Sequence, residues 1–237
     1  AKYYYSRNID KKTDYVKAIE YCDRIAKYNA SKAIVQESEI IRNKILSKQL
    51  TSDLEKYNLP NKPFKMLVTY KSIKNLYLRI IKLDEKINDF LQTVNKNSQD
   101  SVFRFLTPLK SEYYHLPEFQ DYQMHSAEIA LPALTVGVYK ILLSDNESFT
   151  GSYIIIQTVQ VTNLFLAEFN RLGKKAIIVT DREKGHPIEG VIIECEDSIA
   201  VTDQNGIAEL NCGKDSRYPD LKLSYKDDVV KLKNFGS

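Results

Sequence analysis

The chain has 237 residues, 43% of them hydrophobic and 27% charged, and its net charge of +3 is spread as 34 basic and 31 acidic side chains. These are ordinary values for a globular protein and exclude a disordered chain; no apolar run is long enough for a membrane span, and no concentrated basic face points to nucleic acid. With 8 Gly, 3 His, 3 Cys and no Trp against 16 Tyr, the composition starves most catalytic schemes.

The chain opens on Ala1 followed by Lys2-Tyr3-Tyr4-Tyr5-Ser6, with no apolar leader, as a trimmed or processed chain would. Residues 1–48 read as a helical hairpin. From Asp14, the positions Tyr15, Ile19, Cys22 and Ala26 follow one face of a 3.6-residue period. Asn29-Ala30-Ser31 interrupts that pattern and offers Ser31 as the N-cap of a second helix, whose stripe is Ile34, Ile41 and Ile45 with Ile40 and Leu46 beside it. Two such helices resemble the last unit of a tetratricopeptide-like array, and one hairpin must bury its remaining apolar surface on something else. Tyr3 to Tyr5 are expected in that packing.

Leu59-Pro60-Asn61-Lys62-Pro63 is a breaker, and the periodicity then becomes strand-like. The expected strands are Leu50 to Tyr57, Phe64 to Tyr70, Leu76 to Ile81, Val102 to Leu109, Tyr122 to Ala130, Gly137 to Leu143 and Tyr153 to Thr162. Asp84 to Asn95 has helical spacing through Ile87, Leu91 and Val94, with Asp84 as cap, and reads as an insertion. Another β unit starts near Asn163, with strands at Leu164–Phe169, Ala176–Thr180, Val191–Cys195, Ile199–Thr202, Ile207–Leu210, Leu221–Tyr225 and Val229–Leu232. Its turns are Asp181 to Pro187 and Thr202 to Gly206, where Asn205-Gly206 supplies the positive φ of a tight hairpin. Short strands at this spacing spell sandwiches. The fold class expected is mainly β with an N-terminal α segment: a helical hairpin over 1–48, a β-sandwich over 49–162 with a helical insertion near 84–95, and a small β-sandwich over 163–237.

The search for chemistry returns no catalytic, cofactor-binding or metal-ligating residue. No phosphate-cradling glycine loop and no Gly-x-Ser-x-Gly elbow is present. His115, His125 and His186 are too dispersed to promise a metal site. The carboxylates cluster as Asp84-Glu85, Asp145-Asn146-Glu147, Glu194 with Glu196 and Asp197, and Asp227-Asp228, and read as turn and strand-edge charges that keep edges from pairing with other chains. Asp203-Gln204-Asn205-Gly206 shows too few oxygen ligands for calcium. A stripe of Lys56, Lys62, Lys65, Lys71, Lys74, Arg79, Lys82 and Lys86, interleaved with Tyr57, Tyr70 and Tyr77, is explained by strand alternation with lysines outward, not by nucleic acid. Cys195 and Cys212 can pair if their strands are neighbours, leaving Cys22 free; three small buried thiols is the simpler expectation.

Three segments resemble bacterial alpha-2-macroglobulin-like proteins. Pro60 to Phe64 with Tyr70-Lys71-Ser72-Ile73-Lys74-Asn75-Leu76-Tyr77-Leu78-Arg79-Ile80 looks like an early macroglobulin domain, as does Ser126 to Tyr139 with its Leu131-Pro132-Ala133-Leu134…Gly137-Val138-Tyr139 stretch. In that stretch Gly137 allows a tight turn and Tyr139 can plug the sandwich end. Val179 to Val191 with Thr202 to Ala208 is similar to the next macroglobulin domain and to carboxypeptidase-regulatory-like sandwiches. The resemblance covers about residues 30–237.

It implies the N-terminal, non-enzymatic scaffold of a large exported protease inhibitor, located in the periplasm or at the outer membrane and often lipoprotein-anchored. Its partners would be proteases, met through the full-length parent, and further macroglobulin domains of the same chain, with no cofactor, nucleic acid or small-molecule substrate. The family's internal thioester joins a Cys to a Gln three residues on; here those positions hold Ile25, Ser198 and Asp215, so none can form in this chain. The alternative is a surface sandwich pair that serves adhesion, glycan binding or outer-membrane assembly.

Overall fold

A computed structural model of the chain describes residues 2–7, 14–28, 30–95, 98–171, 174–195, 198–210 and 220–232. It begins with three helices, α1 (Lys2–Arg7), α2 (Asp14–Lys27) and α3 (Lys32–Leu46). Ala18, Ile19 and Cys22 of α2 pack on Ile41 and Ile45 of α3. Tyr4 stacks on Tyr21 and Tyr5 on Tyr15, with ring centroids 5.2 and 5.7 Å apart. The expected stripe on α3 is narrower than its sequence suggests, because Ile34 and Ile40 stay half exposed at 50% and 56%. Tyr3 is likewise mostly exposed. Ser31 stands at the N-cap position of α3, without a side-chain capping bond.

Eight strands follow: β1 (Gln49–Leu54), β2 (Tyr57–Asn58), β3 (Phe64–Lys71), β4 (Asn75–Leu83), β5 (Lys110–His115), β6 (His125–Leu131), β7 (Gly137–Ser144) and β8 (Ile154–Val161). They form a three-stranded sheet in the order β1-β3-β6 facing a five-stranded sheet in the order β2-β8-β7-β4-β5. Between the sheets lie Met66 and Val68 of β3, Leu76, Leu78 and Ile80 of β4, and Tyr139, Ile141 and Leu143 of β7. The single strand expected over Leu50 to Tyr57 is two. The chain breaks at Glu55-Lys56 and changes sheets, so that β2 runs parallel to β8.

The five-stranded sheet is covered on its other face too. Ile81 and Leu142 point away from the sandwich core and meet Leu91 of α4 (Glu85–Thr93) and Phe103 of α5 (Gln99–Phe103). The Asp84 carboxylate caps α4 by accepting the Ile87 N–H at 2.8 Å. The strand expected over Val102 to Leu109 is absent. Phe103 and Leu106, three residues apart, join the cluster beneath the sheet, as a helical turn and its exit allow, and the strand starts only at Lys110. Sheet coverage on both faces also explains the near-continuous apolar run of β7.

The last seven strands are β9 (Leu164–Arg171), β10 (Lys174–Asp181), β11 (Ile192–Cys195), β12 (Ser198–Val201), β13 (Ile207–Glu209), β14 (Leu221–Tyr225) and β15 (Asp228–Leu232). They make a sheet β13-β10-β9 opposite a sheet β12-β11-β14-β15, around Ile177, Val179, Val191, Ile193 and Leu223. The Asn205-Gly206 turn is not a hairpin turn. It carries the chain from β12 in one sheet to β13 in the other, and only Gly fits there: φ is +73° and a Cβ would stand 2.4 Å from the Val179 carbonyl oxygen.

Candidate functional site at the joint of the β units

Only Thr162 and Asn163 separate β8 from β9, so the backbone groups of a short link must be satisfied inside a packed joint. Thr162 is fully buried. Its N–H donates to the Asn58 carbonyl at 3.0 Å, and its hydroxyl donates to Asp228 Oδ2 at 2.9 Å while accepting the Leu164 N–H at 2.9 Å. The Asn163 N–H donates to the same Asp228 oxygen at 2.7 Å. From the far side, the Arg182 N–H donates to the Asn163 carbonyl at 2.7 Å and its Nη2 to the Leu164 carbonyl at 2.8 Å. Gln160 Nε2 reaches the Val229 carbonyl at 3.2 Å, and Lys62 pairs with Glu183 across the joint.

Two groups in this joint are electrostatically costly. Burial pushes the Asp228 carboxyl above its ordinary value and the charge of Asp227 adds to this; the Asn163 N–H, the Thr162 hydroxyl and Arg182 pull the other way. Its second oxygen, Oδ1, is buried with no hydrogen-bond partner among the described residues. The Arg182 guanidinium lies between the rings of Tyr57 and Phe165, 5.2 and 5.7 Å from their centroids, and its Nε is also buried without a partner among the described residues. Two small clefts, of about 330 and 280 Å³, open on either side of Tyr57 and Arg182.

The residues weighed from sequence fall mostly elsewhere. His125 Nε2 lies 2.9 Å from Asp121 Oδ1, with its ring stacked on Phe119 at 3.9 Å. His115 ends β5, and the His186 carbonyl accepts from the Asp181 N–H in a turn. Among the described residues, no three of His, Cys, Asp and Glu gather so as to hold a metal ion.

Asp145 pairs with Lys48 at 2.6 Å and Glu194 with Lys222 at 2.9 Å, while Asp203 Oδ1 accepts the N–H groups of Asn205 and Ile207. Glu196, Asp197 and the Glu85 side chain lie outside the described residues. Reading Asp228 as an edge charge is wrong, and the missed signal is periodic. Asp228, Val230 and Leu232 share one face of β15, and that face is turned inward.

The basic stripe is dispersed. Lys65 pairs with Glu128 at 2.7 Å and Lys74 with Glu118 at 2.8 Å. Arg79 donates to the carbonyls of Arg104 and Glu147 and lies over the Phe149 ring. Lys71 does not point outward: it is buried, with Nζ 3.2 Å from the Lys44 carbonyl at the end of α3. Tyr139 is fully buried and its hydroxyl donates to the Thr135 carbonyl at 2.9 Å, the aromatic corner expected of it. Cys22 is a free buried thiol and Cys195 is disulfide-bonded, which replaces the expectation of three thiols; Cys212 lies outside the described residues.

No family model and no curated protein matches the sequence. Solved structures match the fold. One is native alpha-2-macroglobulin from Escherichia coli spanning domains MG0-NIE-MG1, with a TM-score of 0.55 and 13% identity over 78% of this chain and 64% of that one. Another spans domains NIE-MG1 of the same protein, with a TM-score of 0.54 and 11% identity over 78% of this chain and 97% of that one. The fold is macroglobulin-type. The chain spans just under two thirds of the longer fragment, and at these identities the likeness is one of fold.

Proposed function

We propose that these residues are the non-catalytic scaffold portion of an exported alpha-2-macroglobulin-like protease inhibitor. Its units are a helical hairpin over 1–48 and macroglobulin-type sandwiches over 49–162 and 163–237. The supporting observation is the fold likeness, over 78% of the chain, to consecutive domains of one alpha-2-macroglobulin. Physically, the joint fits a load-bearing role: the Thr162 hydroxyl and the Asp228 carboxylate are buried and bonded to each other and to the backbone of the link, out of reach of a substrate. The disulfide at Cys195 supports export, because such bonds persist in oxidising compartments such as the periplasm. The working partners are then further macroglobulin domains of the same chain and, through the whole molecule, proteases; an outer-membrane lipid anchor fits the same reading.

Sequencing the complete reading frame tests this. The expected result is a chain continuing beyond Ser237 through further sandwich domains. A frame ending near Ser237, with purified protein that binds glycans saturably, would establish a surface binding module instead.

A further inference from the structure

The smaller of the two clefts has a composition the scaffold role does not require. It is a groove of about 280 Å³ between Leu164, Phe165 and Leu166 of β9 and Leu223, Val230 and Leu232 of β14 and β15. Among the described strands, β9 pairs only with β10 and β15 only with β14, so the groove runs between two edge strands; the Leu164 N–H and carbonyl and the Val229 carbonyl on those edges are already bonded within the joint, which leaves the edge positions beyond them to a ligand. Phe165 is 47% exposed at its rim. Among the described residues Arg182 is the one charged side chain lining it, and it also lines the larger cleft. A guanidinium has five N–H donors in a planar fork. Among the described residues only Nη2 is used, on the Leu164 carbonyl, while the Nε–H is buried, so the donors left to a ligand are those at the outer end of the fork.

We propose that this groove binds the C-terminal residue of an extended apolar peptide, whose free carboxylate is held by Arg182. The charge argument selects an anion attached to an apolar body. The strand edges select a peptide over a simple amphiphile, because main-chain hydrogen bonding then gives affinity while the apolar groove selects the side chain. The volume, just under the roughly 300–1,000 Å³ of whole small-molecule sites, suits one or two side chains. The proposal stands apart from the inhibitor reading, since any macroglobulin-type sandwich with this groove could use it.

The test is binding by the full 237-residue protein, followed by the methyl NMR signals of Leu166, Leu223 and Val230. The probes are acetyl-Ser-Val-Thr-Leu as free acid, the same peptide as C-terminal amide, and decanoate. The expected result is at least tenfold tighter binding of the free acid than of the amide, with shifts confined to these methyls, and loss of that preference in Arg182→Gln. Since Arg182→Gln also removes a joint contact, the comparison of acid with amide on the unaltered protein decides. Equal binding of both peptides, binding of decanoate alone, or no shift at millimolar peptide would overturn the proposal.

Discussion

Gly206 and Asp228 carry the sharpest consequences at the scale of single residues. Gly206→Ala places a side chain against the Val179 carbonyl in a left-handed conformation, a strain of about 1–3 kcal/mol before the clash is added. Urea denaturation of the variant is expected to show a fall in stability of at least that size; an unchanged midpoint would mean the corner relaxes freely. For Asp228 the sign follows from linkage. Burial raises its folded-state pKa above the unfolded value, so on acidification the fold takes up a proton before the unfolded chain does. Its contribution is therefore fully present below the unfolded pKa and is lost as pH rises through the folded one. The stability of the natural protein relative to Asp228→Asn should climb as pH falls from 7 toward about 4, the ordinary Asp range. A flat or opposite trend in denaturation midpoints would contradict the burial. Nothing in the local string Lys226-Asp227-Asp228-Val229-Val230 names the carboxylate to be covered, because the covering groups, Thr162 and Asn163, lie more than sixty residues away.

Local pattern and tertiary environment compete most visibly at the level of elements. Where one side of an element faces solvent, as in β3, whose outward Lys65 and Leu67 alternate with the buried Met66 and Val68, the period of two was readable. The Asp84 cap was readable for the same reason, since its partner is three residues on. The segment Val102 to Leu109 misled because alternating apolar residues fit a strand as well as a short helix laid across a sheet. The sheet's second apolar face, at Ile81 and Leu142, decides for the helix. Removing that anchor tests the argument: Phe103→Ala, at a site 2% exposed, should cost about 3–5 kcal/mol in chemical denaturation. A loss below 1 kcal/mol would mean that α4 and α5 are not part of the folded layer. The Asn-Gly turn was misread similarly; the dipeptide specifies a backbone conformation, but whether the flanking strands pair is set by the sheets they join.

For the whole molecule, the mainly β class with an N-terminal helical segment was legible because breakers and changes of period mark it, whereas the joint was not, being made by residues from four separate stretches of chain. Mass spectrometry of non-reduced digests should find the Cys195 peptide linked to that of Cys212, with Cys22 alkylated; a free Cys195 would remove the support for an oxidising compartment. The central claim is that this chain carries scaffold and that inhibition belongs to the complete protein. The direct measurement is protease cleavage of casein in the presence of either the full-length gene product or residues 1–237 alone. The account predicts suppression by the full-length product and none by the fragment. Inhibition by the fragment itself, or a full-length product that leaves cleavage unchanged, would contradict it.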